Sequence, residues 1–269
     1  MIAARTIART ALALATAFAA TSAFAQESAD ELAKKLSNPV ASMISVPFQY
    51  NIDFGYGSED GTKQTLNIQP VIPAKLSEKW NLITRVIVPV IQQDDIAGNS
   101  GSQFGLGDVT PTFFFSPSQP TAGGITWGLG PVFLLPTASN DLLGVDEWGA
   151  GPSLLVLKQS PHWTVGVLAN HIWSVSGSRN DPDISNTFLQ PFFARQFKGG
   201  RTLTFNAEST YDWENEQWTV PLNVVYSKVT RVGSQTMSFA GGVRGYVDAP
   251  RGGPDWGLRF VVTFLVPEK

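Results

Sequence analysis

His162 and His171 are the only histidines of the chain, and it has no cysteine. That stock excludes thiolate chemistry and cysteine metal sites, and the two histidines do not stand at metal-ligand spacing. No G-x-S-x-G nucleophile elbow occurs. The nearest pairing of a base with a hydroxyl is "NHIWS", in which Ser174 follows His171 by three residues and Asn170 precedes it. On a strand successive side chains point to opposite faces, so Asn170 turns away from His171 and the three do not form a triad. No catalytic residue, metal site or cofactor is assigned.

The remaining side chains able to do chemistry are charges and amides set singly among apolar residues. In "ISVPFQYNIDF", Ile44, Val46, Phe48, Tyr50, Ile52 and Phe54 share one face, while Gln49, Asn51 and Asp53 share the other. The same alternation places Asn67, Gln69, Arg85, Asp108, Asn206, Glu208, Asn223, Arg244 and Arg259 on polar faces. Three acidic and three basic groups facing a common interior need partners, because confined charges are costly when unpaired. Asp53 near the end of the first strand and Arg259 near the start of the last are expected to meet where the sheet closes. Two readings stay open for this set: a constriction that selects solutes, and a salt-bridged plug that holds shape.

These residues need strands to position them, and the sequence supplies many. Period-2 runs fall at 44–54, 62–72, 80–91, 106–116, 124–135, 148–158, 163–173, 186–197, 201–211, 218–229, 236–247 and 256–266. Twelve segments of about ten residues, even in number, suit an antiparallel transmembrane β-barrel. Charged residues are only 15% of the chain, yet no run after residue 25 has the apolar length of a membrane helix. Connections after odd strands gather acid, including Glu59, Asp60, Asp94, Asp95, Asp141, Asp146 and Asp255. Connections after even strands are mostly shorter and lean basic, with Lys75, Lys79, Lys198 and Arg231. Long loops on one rim and short turns on the other are a barrel's signature, and the acidic rim is assigned to the cell exterior. Trp80, Trp127, Trp148, Trp163, Trp173, Trp218 and Trp256 fall at or near strand ends, where aromatic girdles sit. A net charge of −3 argues against nucleic acid as a partner.

Prolines interrupt the pattern. "FGLGDVTPTFFFSP" reads as a strand with Pro111 inside it, and "GLGPVFLL" and "GAGPSLLV" repeat the fault at Pro131 and Pro152. Pro47, Pro70, Pro89, Pro191 and Pro221 do the same elsewhere. Each deletes one ladder bond, which is tolerable at a bulge or bend that helps a small barrel close.

Two segments precede the strands. Residues 1–25 carry Arg5 and Arg9, an apolar run, and Ala23-Phe24-Ala25, the layout of a cleaved signal peptide. Residues 26–43 are expected to be an N-terminal periplasmic tail with a short helix, capped at Asp30 and ended by Asn38-Pro39. The barrel domain is then 44–269. Its last strand, "DWGLRFVVTFLV", resembles the C-terminal signal read by the barrel-assembly machinery, although the chain continues through Pro267-Glu268-Lys269.

"GLGDVTPTFFFSP", "WGLGPVFLLPTAS" and "LANHIW" resemble a family of Gram-negative proteins named for the meta-cleavage pathway of phenol degradation, some of whose members carry the label neuromedin U. The resemblance covers essentially the whole chain after residue 25. It implies an outer-membrane barrel in contact with the lipid bilayer and lipopolysaccharide, transporting a small hydrophobic or aromatic solute. It brings no catalytic residues. A non-transporting structural or surface-interaction barrel is the alternative. A third reading is an outer-membrane lipid hydrolase. His171 and Ser174 resemble the phospholipase pattern in residue type, but their spacing departs from it.

Overall fold

The computed structural model describes residues 28–176 and 183–266. The expected signal peptide 1–25, residues 177–182 with Arg179 and Asp181, and residues 267–269 lie outside the described residues. Among the described residues one helix, α1 (Ala29–Leu36), precedes fifteen strands. These are β1 (Ile44–Tyr56), β2 (Gly61–Ile68), β3 (Val71–Lys75), β4 (Trp80–Asp94), β5 (Ser102–Leu106), β6 (Thr110–Pro117), β7 (Ile125–Leu134) and β8 (Trp148–Gln159). They continue with β9 (Trp163–Ser176), β10 (Ser185–Phe197), β11 (Arg201–Ala207), β12 (Ser209–Asp212), β13 (Gln217–Val232), β14 (Gln235–Asp248) and β15 (Trp256–Val266).

The fifteen strands make twelve staves, because β2 with β3, β5 with β6, and β11 with β12 are single staves with a break in each. Every neighbour is antiparallel, and β1 pairs β15 from Ile44↔Val266 to Phe54↔Trp256, closing the barrel. The alternating runs dictate this outcome. A closed sheet satisfies every stave's backbone laterally and leaves one face to lipid and one to the lumen. Leu129, Leu154, Leu189, Phe193, Phe205, Leu222, Phe239 and Phe260 are exposed on the outer face. Their in-between neighbours Ser153, Thr164, Ala194 and Asn223 are buried on the inner one. Loops 95–101, 135–147 and 249–255 lie on one rim, and turns 76–79, 160–162 and 198–200 on the other.

The prolines account for the breaks. Gln69 donates its N–H to Pro47 O at 2.9 Å, Val86 to Pro70 O at 3.1 Å, Gly107 to Pro89 O at 2.9 Å and Glu208 to Pro221 O at 3.2 Å. In an antiparallel pair each such bond has a reciprocal, and a proline has no N–H to give it. The β2/β3 break is at Gln69-Pro70, the β5/β6 break faces Pro89, and the β11/β12 break faces Pro221. Only the second is a true bulge. Two residues, Val88 and Pro89, separate the partners Ile87↔Thr110 and Val90↔Leu106, against three on the other side.

The repeated Gly-Pro pairs have a more specific geometry. Pro131 stands directly opposite Pro152 across β7 and β8. Counting along the ladders from Val109↔Leu135 and from the Ser160 N–H to Trp163 O bond puts each proline where its missing N–H faces a neighbour's carbonyl. Those carbonyls belong to Phe113 and His171. A Cβ at Gly130 would fall 1.8 Å from Phe113 O, and one at Gly151 1.7 Å from His171 O. The orphaned carbonyls thus lean inward into space that only glycine leaves, which explains why glycine precedes each proline. The β6–β7 ladder keeps only Thr112↔Val132 and Phe115↔Leu129.

The helix is capped by Ser28 and not by Asp30. Ser28 Oγ accepts the Glu31 N–H at 3.2 Å and Glu31 Oε2 accepts the Ser28 N–H at 2.9 Å, a capping box. Those hydrogen bonds hold the Glu31 carboxyl below the ordinary carboxylate range. Asp30 instead accepts the Gly200 N–H at 2.6 Å from the β10–β11 turn. Segment 29–43 therefore sits in the short-turn mouth. Ala33 and Met43 pack on Val229 and Leu265, and Val40 packs on Ile83, Phe114, Leu155, Leu157 and Leu168.

Candidate functional site in the barrel lumen

A belt of charges crosses one side of the lumen. Asn51 and Arg259 are directly opposite on the closing β1–β15 seam, and Arg259 Nε donates to Asn51 Oδ1 at 2.8 Å. The rest of the guanidinium reaches past β14 and β13 to Glu208, giving Nη1 to Oε1 and Nη2 to Oε2, both at 2.7 Å. This is the bidentate fork that makes arginine–carboxylate pairs strong. Glu208 occupies the β11/β12 break opposite Pro221, so the break places a carboxylate in mid-lumen. Gln190 Nε2 lies 3.4 Å from Glu208 Oε1.

Asp53 does not meet Arg259. Its partner is Arg244 on β14, with Nε 3.2 Å from Oδ1, and the Arg244 guanidinium lies 5.2 Å from the centre of the Tyr246 ring. The reason is register. Asp53 faces Gly257 on β15, and a Cβ there would come within 2.4 Å of Asp53 Oδ1. The glycine opens the path to Arg244 on the next stave. Asn223 Nδ2 donates to Asn206 Oδ1 at 2.8 Å, bracing β13 against β11.

The other expected residues take different places. Arg85 on β4 donates Nη2 to Gln69 Oε1 at 2.7 Å, and Gln49 and Asn67 line the same cavity. Asp108 leaves the belt altogether. Its carboxylate accepts N–H groups of Thr137, Ala138 and Val145 at 3.1, 3.1 and 2.7 Å, pinning the long loop 135–147. It sits in the bulge facing Pro89, where alternation no longer fixes direction. Lys63, opposite Asp53 in the β1–β2 ladder, and Gln190 were not singled out, although alternation within their runs marks both as inward.

Trp80, Trp127 and Trp163 lie at the short-turn rim, Trp80 and Trp127 touching edge-on at 5.7 Å. Trp148, Trp173, Trp218 and Trp256 lie at the other rim, where Trp256 stacks on Phe54 at 4.7 Å. His171 Nδ1 is 2.7 Å from Thr187 Oγ1, while Ser174 Oγ accepts the Ile184 N–H at 2.6 Å. Each thus has a partner other than the other.

Two cavities adjoin the belt. The larger, about 450 Å³, lies between Arg259 and Glu208 on one side and Leu36, Pro39 and Met43 of the N-terminal segment on the other. The smaller, about 260 Å³, lies against Phe114, Leu168 and Phe188. Arg85 and Phe188 line both. A path from rim to rim would run past Arg85, with the N-terminal segment across its lower end. The segment is held there by Gln159 to Lys34 O at 2.9 Å, Gln196 to Ser37 Oγ at 3.0 Å and Asn81 to Ser42 Oγ at 3.3 Å.

The architecture is shared with solved outer-membrane barrels. The COG4313 outer membrane channel from Pseudomonas putida F1 superposes with a TM-score of 0.65 at 15% identity, over 84% of this chain and 96% of that one. The NanC porin superposes with a TM-score of 0.51 at 8% identity, over 82% and 98%. No curated protein matches by sequence. Residues 46–269 match the family described as "Putative MetA-pathway of phenol degradation", and the chain belongs to that family.

Proposed function

We propose that this chain is an outer-membrane channel for small apolar or aromatic compounds. The observation that carries the reading is the interior. The lumen holds two adjoining cavities of about 450 and 260 Å³ beside a charged belt, space that its side chains leave unfilled. The family's name and the channel named above, alike in fold, point the same way. The outer face of leucine and phenylalanine meets the bilayer, and the tryptophans of the two rims form its girdles. The long acidic loops face outward toward lipopolysaccharide, and the short turns with the N-terminal segment face the periplasm. Assembly through the barrel-assembly machinery follows from the last strand's pattern.

Planar-bilayer recording tests this. The purified protein is expected to give discrete, low conductance steps, and a variant lacking residues 28–43 larger ones, because the segment lies across the path. Silence from both would end the channel reading. A second reading, a structural barrel, draws on the mutual saturation of Arg259 and Glu208, which leaves no site for a solute on that pair. It predicts no conductance in the wild type and loss of heat stability in each single charge variant.

A further inference from the structure

The belt has an odd member. Of the three lumen arginines, Arg244 and Arg259 are matched by Asp53 and Glu208, while Arg85 has no carboxylate within salt-bridge distance among the described residues. Asp108, which would have balanced it, is bound into a loop backbone. Glu208 is held by two nitrogens of Arg259. Arg85 spends one N–H on Gln69 and has the others free of any protein hydrogen bond among those described. Glu208 attracts Arg85 only at longer range, beyond its own fork with Arg259, so the Arg85 guanidinium has no carboxylate in direct contact, and it matches one in shape.

The smaller cavity shows what would carry that carboxylate. Beyond Arg85 its walls are mostly apolar, with Phe114, Leu168, Ile172, Ile184 and Phe188 set among threonine, serine and asparagine side chains, which suits a flat, largely apolar body. At about 260 Å³ it lies below the roughly 300–1,000 Å³ of drug-sized pockets, so a single ring is the right scale. Asn186 lines the same cavity, and its Oδ1 is buried with no hydrogen-bond donor. An unmatched buried acceptor is expensive and favours a ligand that brings a hydroxyl.

We propose that the smaller cavity binds single-ring aromatic carboxylates, with the carboxylate on Arg85, the ring between Phe114, Leu168 and Phe188, and a ring hydroxyl donating to Asn186. The inference rests on the channel reading for the ligand's route in, and narrows its solutes to anions of this shape.

Titration calorimetry of the purified full chain in detergent tests it with benzoate, 4-hydroxybenzoate and benzamide. Benzoate should bind saturably and benzamide, its uncharged counterpart, at least about tenfold more weakly, the scale of a lost charged hydrogen bond. 4-Hydroxybenzoate should bind more tightly than benzoate, and Asn186→Leu should remove that gain without changing benzoate. Arg85→Gln, with folding checked by heat-dependent gel migration, should weaken both acids by about tenfold or more and leave benzamide unchanged. Equal binding of benzoate and benzamide to the wild type would overturn the proposal without any variant, as would undiminished acid binding by Arg85→Gln. The two readings fail separately. Conductance without Arg85-dependent acid binding keeps the channel and removes this site. Arg85-dependent binding in a silent barrel keeps the site and removes the channel.

Discussion

The two halves of the lumen wall are built on opposite principles. Across β13, β14, β15 and β1 the ladders are nearly continuous, and the inward side chains include Asn51, Asp53, Asn223, Arg244 and Arg259, with Val225, Val229 and Leu265 nearer the short-turn mouth. Across β4 and β6 to β9 the buried inward side chains are mainly Ile83, Phe114, Val132, Leu155, Leu157 and Leu168, with Arg85, Thr112, Ser153 and Thr164 also facing in, and the ladders are cut by Pro111, Pro131 and Pro152. The first half spends polar groups on one another and leaves little to water. The second is sealed by apolar packing against Val40, and its backbone has unpaired carbonyls. The contrast teaches where each half derives its rigidity: side-chain charge pairs in one, side-chain burial in the other, with backbone regularity following the charges.

Breaking the charged half should have the largest effect. Arg259→Ala leaves Glu208 confined without its arginine fork and is expected to lower unfolding stability by about 3–5 kcal/mol, as removal of one member of a buried pair does. The double variant Arg259→Met with Glu208→Leu should recover most of that loss, since an apolar pair of similar volume replaces the ion pair without an orphan. Urea unfolding in detergent measures both. A double variant no more stable than the single would show that the ion pair itself stabilises the barrel beyond the space it fills.

The apolar half should respond to volume and not to charge. Leu155→Ala, at a fully buried position beside Phe114, is expected to cost about 2–5 kcal/mol through the cavity it leaves. Outside the same stave, Leu154→Ala exchanges lipid contact for lipid contact and should cost much less. On β1, Phe48→Arg places a charge in lipid and should cost about 2–4 kcal/mol near the midplane, while Gln49→Arg, facing the larger cavity, should fold. Equal tolerance at 48 and 49 would contradict the assigned faces.

How far the two halves were legible in the sequence differs in the same way. Alternation gave the staves to within a few residues and the inward face of both halves, because period-2 patterning is local. It could not give partners. Asp53 joins Arg244 because Gly257 stands opposite it, a fact of register between strands two hundred residues apart. Asp108 was misplaced because the bulge facing Pro89 breaks the parity that alternation assumes. The prolines were visible as a fault, but their meaning needed the ladder count that sets Pro131 against Phe113 and Pro152 against His171. The helix cap was carried by the Ser28–Glu31 spacing, and Asp30, the residue expected to cap, turned out to tie the helix to Gly200.

A smaller effect would sharpen the comparison of backbones. Pro131→Ala restores an N–H facing Phe113 O and should add about 0.5–1.5 kcal/mol, the net worth of one hydrogen bond, if the leaning carbonyl can swing back into the ladder. Amide exchange should slow in β6 and β7 and stay unchanged in β14. If exchange in β6 and β7 does not change, the carbonyl is held inward by something other than the missing donor.

The smallest expected effect concerns the segment lying across the short-turn mouth, which packs on both halves and is tied down by polar contacts. Its first turn depends on the Glu31 carboxylate accepting the Ser28 N–H, and this contact lowers the Glu31 pKa in the folded state. A group with a depressed folded pKa contributes its stability above its unfolded value and loses it as pH falls through the folded one. The cap is therefore intact at neutral pH, and protonation in the acid range below the ordinary glutamate pKa releases it. Protection of the first-turn amides, taken relative to the intrinsic exchange rate at each pH, should fall over that range in the wild type. In Glu31→Gln, whose amide oxygen can still accept but does not titrate, the pH response should disappear. Asp30→Ala should speed exchange at Gly200 at every pH, because it removes the tether and not the cap. If protection in Glu31→Gln still falls with pH, Glu31 is not the titrating group, and attachment of the segment depends on another contact in the mouth.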